Sequence, residues 1–341
     1  MSRSKRVTIA DIARQAGVSP GAVSFALNGR PGVSEATRQR ILAVADAHQW
    51  RPSSTARALV GARAGVVGFA VNRPARTLGT EAFFTDLIAG VQSALAARRI
   101  GLQLGVVPTL DEEIATYRRW RSANQVDGVF VLDPLEDDPR ARVLESLALP
   151  SVMLGGTPSG PGEPATIWLD DARAAHTVFD YLAELGHRRI AYLSGPAEYQ
   201  HVRLRSEVLS GLTGHGVSGE TIITDYSPRE VTVVMRSLLD RSERPTAVVF
   251  DNDVMAIAGL RVTQETGVAV PTEMSLASFD DSVVTGLVHP ALTCLTRDTF
   301  EFGEQAAEFL LDQIEHDGKI EDRRGPQPQL TVRESTAPPP A

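Results

Sequence analysis

The sequence predicts a small all-α head followed by an α/β body whose parallel sheets fall into two lobes. Three observations carry this. Apolar residues in the first fifty positions recur at helical spacing between capping residues. From residue 65 onward, short β-branched runs alternate with helical stretches, the pattern of parallel sheets covered on both faces. After Leu169 that alternation starts again, which predicts a second lobe built like the first.

Bulk properties narrow the function. The chain has 341 residues, 43% of them hydrophobic, enough for a sizeable core. Apolar runs fall short of the roughly 18 residues a membrane helix needs. No apolar run of export type follows Arg3, Lys5 and Arg6, so a cytoplasmic protein is expected. Cys294 is the only cysteine, which excludes an internal disulfide and a cysteine-based zinc site. The formal charge of −8 is unevenly spread: residues 1–63 carry ten Lys/Arg against three acids, a formal +7, leaving −15 on the remainder. A basic head on an acidic body suits a head that meets phosphates.

In the head, Thr8 is an N-cap with Asp11 three residues on, and Ile9, Ile12, Ala13 and Ala16 share one helical face. Gly17 stops this helix. Ser19 caps the next, with Pro20 at its first position and Val18 placed to staple onto Val23. Val23, Ala26 and Leu27 form its buried side, whereas Pro20, Gly21, Ser24 and Phe25 face outward. Two short helices joined by a Gly-containing turn form a helix-turn-helix. A third helix runs from the Ser34 cap to about His48, with Ile41, Leu42 and Ala45 facing in. An exposed Phe25 on a small basic module is costly unless it meets a partner. Pro52 ends the helical region, and residues 55–60, closed by Gly61, are too short to form a stable isolated helix.

In the body, strands are expected at 65–71, 102–107, 128–132, 151–154, 190–194, 221–224, 247–250 and 275–279. Helices are expected at 83–98, 111–122, 139–147, 172–185, 202–214, 229–240 and 252–266. No G-x-G-x-x-G or P-loop follows a strand, and no histidine cluster has metal-ligand character, so neither cofactor nor metal is expected. Asp280-Asp281 is a carboxylate pair of the kind hydrolysis uses, but sequence neighbours diverge in space, and acid–base work needs converging groups. His187, beside Arg188 and Arg189, is expected to be solvated. The chain is therefore read as a non-enzyme.

The run Val7-Thr8-Ile9-Ala10-Asp11-Ile12-Ala13-Arg14-Gln15-Ala16-Gly17-Val18-Ser19 resembles the opening of the LacI/GalR family of bacterial repressors. Ala22-Val23-Ser24, Asn28, Val33-Ser34, Thr37-Arg38 and Pro52 continue it in register. The resemblance implies that Ser19, Pro20, Gly21 and Phe25 face bases in the major groove. It implies that Thr8, Ser24, Asn28 and Thr37 bond phosphates or support the helix. Many members carry arginine where Phe25 stands, so the expected readout here is less polar, with Phe25 against a thymine methyl or base edge. Residues 51–63 resemble the family's hinge helix, with Leu59 as a minor-groove wedge and Ala56 allowing close approach.

The body resembles the family's periplasmic-binding-protein-like core over Asp170-Asp171, 185–190, 194–196, Asn252-Asp253, Gly267, Val270-Pro271 and 278–281. This implies a first lobe of about 65–167 plus 298–325, a second of about 168–297 plus 326–335, and a disordered tail at 336–341. The resemblance implies an effector, sugar-like or a related metabolite, seated off the strand ends. Expected contacts are Phe83, Phe84, Asp170, Arg205 (with Arg203 as rival), Tyr226, Asn252 and Asp280, while Asp171 and Asp253 are expected as helix caps. The implied function is a homodimeric regulator, a repressor, that binds a near-palindromic operator and is controlled by the effector through induction or corepression. The alternative is a sugar-binding protein with no regulatory role. The chain's end shows no leucine heptads for a tetramerising helix.

Overall fold

The computed structural model describes residues 7–27, 31–48, 50, 63–160, 162–316 and 318–340. The chain separates into two compact units, Met1–Ala64 and Gly65–Ala341.

Among the described residues, the first unit holds three helices, α1 (Ile9–Ala16), α2 (Pro20–Leu27) and α3 (Glu35–Ala47). Local chemistry sets their limits. Thr8 and Asp11 form a reciprocal capping box that satisfies two amide donors at the start of α1. Gly17 closes α1 in the left-handed region at φ +66°, where a side chain would be strained. Ser19 Oγ accepts from the Ala22 amide at 3.2 Å, and Ser34 Oγ accepts from the Thr37 amide at 3.3 Å. Ile12, Ala13, Ala16, Val23, Ala26, Ile41 and Ala45 form a core, with Val18 and Val44 packed on it. Leu42, expected inside, is half-buried. Trp50 Nε1 donates to the Val7 carbonyl at 2.8 Å, tying the end of this core to its beginning.

The second unit contains two six-stranded sheets. The first takes β1 (Val66–Asn72), β2 (Gly101–Val107), β3 (Gly128–Leu132), β4 (Ser151–Leu154), β5 (Ala165–Trp168) and, much later in the chain, β11 (Arg323–Arg324). Its order is β11-β5-β4-β3-β1-β2. The second takes β6 (Arg189–Ser194), β7 (Ser218–Ile223), β8 (Ala247–Phe250), β9 (Ser275–Ser278), β10 (Thr293–Thr296) and β12 (Gln329–Thr331), in the order β12-β10-β9-β8-β6-β7. Pairing is parallel except for β10 with β12, where Cys294 faces Thr331. β1 lies between β2 and β3 with Val67 opposite Leu102 and Gly128.

The chain crosses between sheets after β5, after β10 and after β11. The return helix Thr299–Glu315 lies on helix Ala82–Ala97 at a Gly90–Gly303 contact. A Cβ on Gly90 would collide with the Phe300 carbonyl, so glycine is what lets the two backbones meet. Short strands β5, β10, β11 and β12 escape the alternation pattern, because two to four residues carry too little periodicity.

Two expectations are corrected. Thr336 and Ala337, expected in a disordered tail at 336–341, are packed on the second sheet: the Ala337 amide donates to Ser275 Oγ at 3.1 Å, and Thr336 meets the Tyr181 hydroxyl at 2.8 Å. His187 is buried, not solvated. It lies within hydrogen-bond reach of Thr246 Oγ1 at 2.9 Å, Ser275 Oγ at 3.0 Å and the Ala337 carbonyl at 3.0 Å. Burial lowers its pKa, against the opposing pull of the Ala337 carbonyl. Both corrections have one cause, since the tail covers the histidine that the sequence left uncovered.

Candidate functional site

The head presents a continuous outer face. Ser19, Pro20, Gly21 and Phe25 are exposed, and Ser24 and Thr37 are half-buried. Phe25 keeps 41% of its surface exposed, and its ring covers Gly32. A Cβ on Gly32 would stand 2.9 Å from Phe25 Cδ2. Phe25 is thus braced against the α2–α3 turn. Thr8 is committed to Asp11, donating to Oδ2 at 2.7 Å, so its hydroxyl supports α1. Arg38 Nη1 donates to the Ala26 carbonyl at 3.0 Å and closes the end of α2. Asn28, Ala56 and Leu59 lie outside the described residues.

In the second unit, a cleft opens where strands of both sheets end. Arg73 follows β1, Asp133 follows β3, Asp251 and Asn252 follow β8, Asp280 follows β9 and Arg297 follows β10. Strand ends expose backbone and side chains where no further ladder competes for them, which is why sites collect there.

Arg205, 5% exposed, is the centre of the second lobe's wall. Its Nη1 donates to Asp251 Oδ1 at 2.6 Å and its Nη2 to Asp171 Oδ1 at 2.7 Å, while its plane lies 4.3 Å from the Phe279 ring centroid. Burial works against its charge, but the two carboxylates outweigh burial and hold it well above the usual arginine range. Burial also disfavours the Asp251 anion, yet Arg205, aided by His201 and Tyr192, holds that carboxyl far below its usual range. Tyr192 hydroxyl and the Gly195 amide complete the Asp251 shell. Tyr226 stands over Gly195, where a Cβ would collide with its ring.

The lobes touch beside this wall. Arg73 of the first lobe pairs with Asp133 at 2.6 Å and lies 4.5 Å and 4.8 Å from the Tyr199 and Tyr226 ring centroids of the second. Gln200 accepts from the Thr157 amide at 3.3 Å, and its amide and Nε2 donate to the Pro134 and Leu135 carbonyls, each at 3.0 Å. Arg297 pairs with Asp280 at 2.7 Å and sits 5.6 Å from the Phe83 ring centroid.

Phe83, Phe84, Arg205, Tyr226, Asn252 and Asp280 all line the cleft. Asp170 does not. It caps helix Asp171–Glu184 through the Arg173 amide at 3.1 Å and pairs with Arg324 at 2.9 Å. Asp171, expected as the cap, is the buried cleft residue, so the two roles are exchanged. Arg203 pairs with Glu136 and Glu207, away from the wall that Arg205 builds. Beyond β8 the helix cap is Asn252, not Asp253. Sequence reasoning missed Arg73, Glu81, Asp133, His201, Asp251 and Arg297. Their only sequence signal is position just past a strand for four of them, and none for Glu81 or His201.

Residues 8–53 match the model for bacterial regulatory proteins of the lacI family, and residues 179–336 match a periplasmic binding protein-like domain. The HTH-type transcriptional regulator CelR of Thermobifida fusca is 32% identical over 346 residues, covering 98% of this chain and all of that protein. The chain belongs to the LacI family. Among solved structures, a CelR–cellobiose complex is 28% identical, with TM-score 0.71 over 97% of this chain and all of that one. The lac repressor dimer bound to operator and the anti-inducer ONPF shares the fold, with TM-score 0.81 at 23% identity, over 98% of this chain and all of that one. This LacI-family member is a DNA-binding transcription regulator with an α-helical head and a two-sheet α/β body. No described helix is long and apolar enough to cross a membrane.

Proposed function

We propose that this LacI-family chain is a homodimeric, cytoplasmic repressor whose grip on a near-palindromic operator is set by a sugar-like effector in the cleft. The observation that carries the reading is the cleft itself, walled by strand ends of both sheets and by the aromatic side chains Phe83, Phe84 and Tyr226. A ligand there touches both lobes at once, so it binds one lobe arrangement better than another, which is the requirement for control. The CelR structure holding cellobiose supports a saccharide as the class of effector. The lac repressor dimer on its operator supports the assembly. Exposed apolar side chains in the body, Leu104 and Val106 on the edge strand β2 and Val283 and Leu287 on helix Val283–Leu287, suit burial against a second copy. In the head, the outer face of α2 would read bases with Ser19, Pro20, Gly21 and Phe25, and Leu59 and Ala56 would reach the minor groove. The body's ion pairs serve binding, with no catalytic step.

The test has two stages. Selection from random duplexes yields the preferred DNA, which should be near-palindromic, with affinity falling steeply as salt rises. Cellobiose and other neutral disaccharides are then titrated by calorimetry and added to the DNA complex. A bound disaccharide that shifts operator affinity about fivefold or more supports the reading. A salt-insensitive complex, or saccharide binding without any shift, refutes it.

A further inference from the structure

The outer face of α2 is short of hydrogen-bonding side chains. Pro20 and Gly21 carry none, and Phe25 carries a phenyl ring. Ser19 Oγ already accepts from the Ala22 amide at 3.2 Å, which leaves its hydroxyl one proton to donate. Gly21 stands one helical turn before Phe25, on the same side of the helix. A Cβ on Gly21 would find only Ser19 Oγ, at 3.9 Å, so the surface ahead of the ring is open. No bulky side chain there holds α2 away from a partner.

The ring is exposed and yet held. Phe25 keeps 41% of its surface exposed. Gly32 backs it, since a Cβ on Gly32 would stand 2.9 Å from Phe25 Cδ2 and 3.2 Å from Cε2. One edge of the ring thus rests on the α2–α3 turn. A side chain braced in this way gives up little freedom on binding.

A phenyl ring in the major groove has few good partners. Against base-edge oxygens and nitrogens it displaces water and returns no hydrogen bond, which is costly. The apolar group that the groove offers is the methyl on pyrimidine C5, which thymine carries. The ring has neither donor nor acceptor, so it makes no bond by which thymine O4 is told from cytosine N4. What it registers is the methyl.

Resting on the reading of the α2 outer face as the base-reading surface, we propose that Phe25 recognises a 5-methylpyrimidine. At its position 5-methylcytosine then stands in for thymine, and the head's affinity responds to methylation of the DNA.

Fluorescence anisotropy of the full chain on its selected duplex tests this, with each thymine replaced in turn by uracil, which lacks only the methyl. In the wild type, one thymine in each half-site should respond, with a loss of about fourfold in affinity for the one methyl. A cytosine·guanine pair at that position should bind more weakly than thymine·adenine, and methylating the cytosine at C5 should restore about fourfold. Phe25→Ala, checked for helix content by circular dichroism, should bind the thymine and uracil duplexes alike. A wild-type scan in which no thymine responds overturns the proposal, and so does a methylated cytosine that binds no better than the plain one. In either case the reading of α2 still stands if Phe25→Ala selects a different sequence. A folded Phe25→Ala that selects the same sequence with the same uracil response overturns the proposal and the reading of that face together.

Discussion

Arginines in the head and in the cleft are held in opposite ways. Arg14, which pairs with Asp11 at the surface, Arg40 and Arg63 are exposed on the first unit, whose residues 1–63 carry a formal +7. Around the cleft, Arg73 and Arg205 are buried, Arg297 nearly so, and each faces a carboxylate within 2.7 Å. Exposed charge acts at range and is screened by salt. Buried paired charge is spent on its neighbours and leaves recognition to short hydrogen bonds. The head is therefore suited to finding a polyanion, and the cleft, as a proposed effector site, to recognition by short-range contacts.

That contrast can be broken at four points. Arg205→Ala should have the largest effect, because it strands Asp171 and Asp251 as buried charges. It should cost about 3–5 kcal/mol of stability and abolish saccharide binding, read by chemical denaturation and calorimetry. In the head, Ile12→Ala should cost about 3 kcal/mol in a small core. It should abolish DNA binding while calorimetry still finds the ligand, because the two units have separate cores. Glu81→Gln separates charge from hydrogen bonding. The wild-type carboxyl, raised to about 8 by burial, contributes stability that is complete below the usual value near 4.5 and is lost as pH rises through about 8. The variant should therefore pull ahead in thermal denaturation by at most about 1.4 kcal/mol per pH unit across that window. Thr8→Ala, which opens the capping box, should cost about 1 kcal/mol and weaken DNA binding modestly.

Legibility followed the range of the forces. The head's helices were readable because their signals are local: Thr8 with Asp11, Gly17, Ser19 with Pro20, and Ser34 each act within four residues. In the body, β3, β4 and β8 were readable as short apolar runs with fixed ends. The Arg205–Asp171–Asp251 group was not, since its members lie 34 and 46 residues apart and meet only once the sheet has formed. Asp170 and Asp171 show the limit most sharply. Either can cap a helix, and only the position of Arg205 decides which one turns into the cleft. Glu81 gives no pattern at all, because a buried acid looks in sequence like any surface glutamate. His187 was misplaced for the same reason, as its cover arrives 150 residues later in Ala337.

A saccharide in the cleft is proposed to set the head's affinity for DNA. Fluorescence anisotropy of the selected duplex, titrated with the full chain with and without saturating neutral disaccharide, tests it most directly. The disaccharide should shift the DNA dissociation constant about fivefold or more in the wild type, and at the same concentration the shift should be much reduced in Asn252→Ser. A wild-type curve that does not move, while calorimetry shows the disaccharide bound, would contradict it.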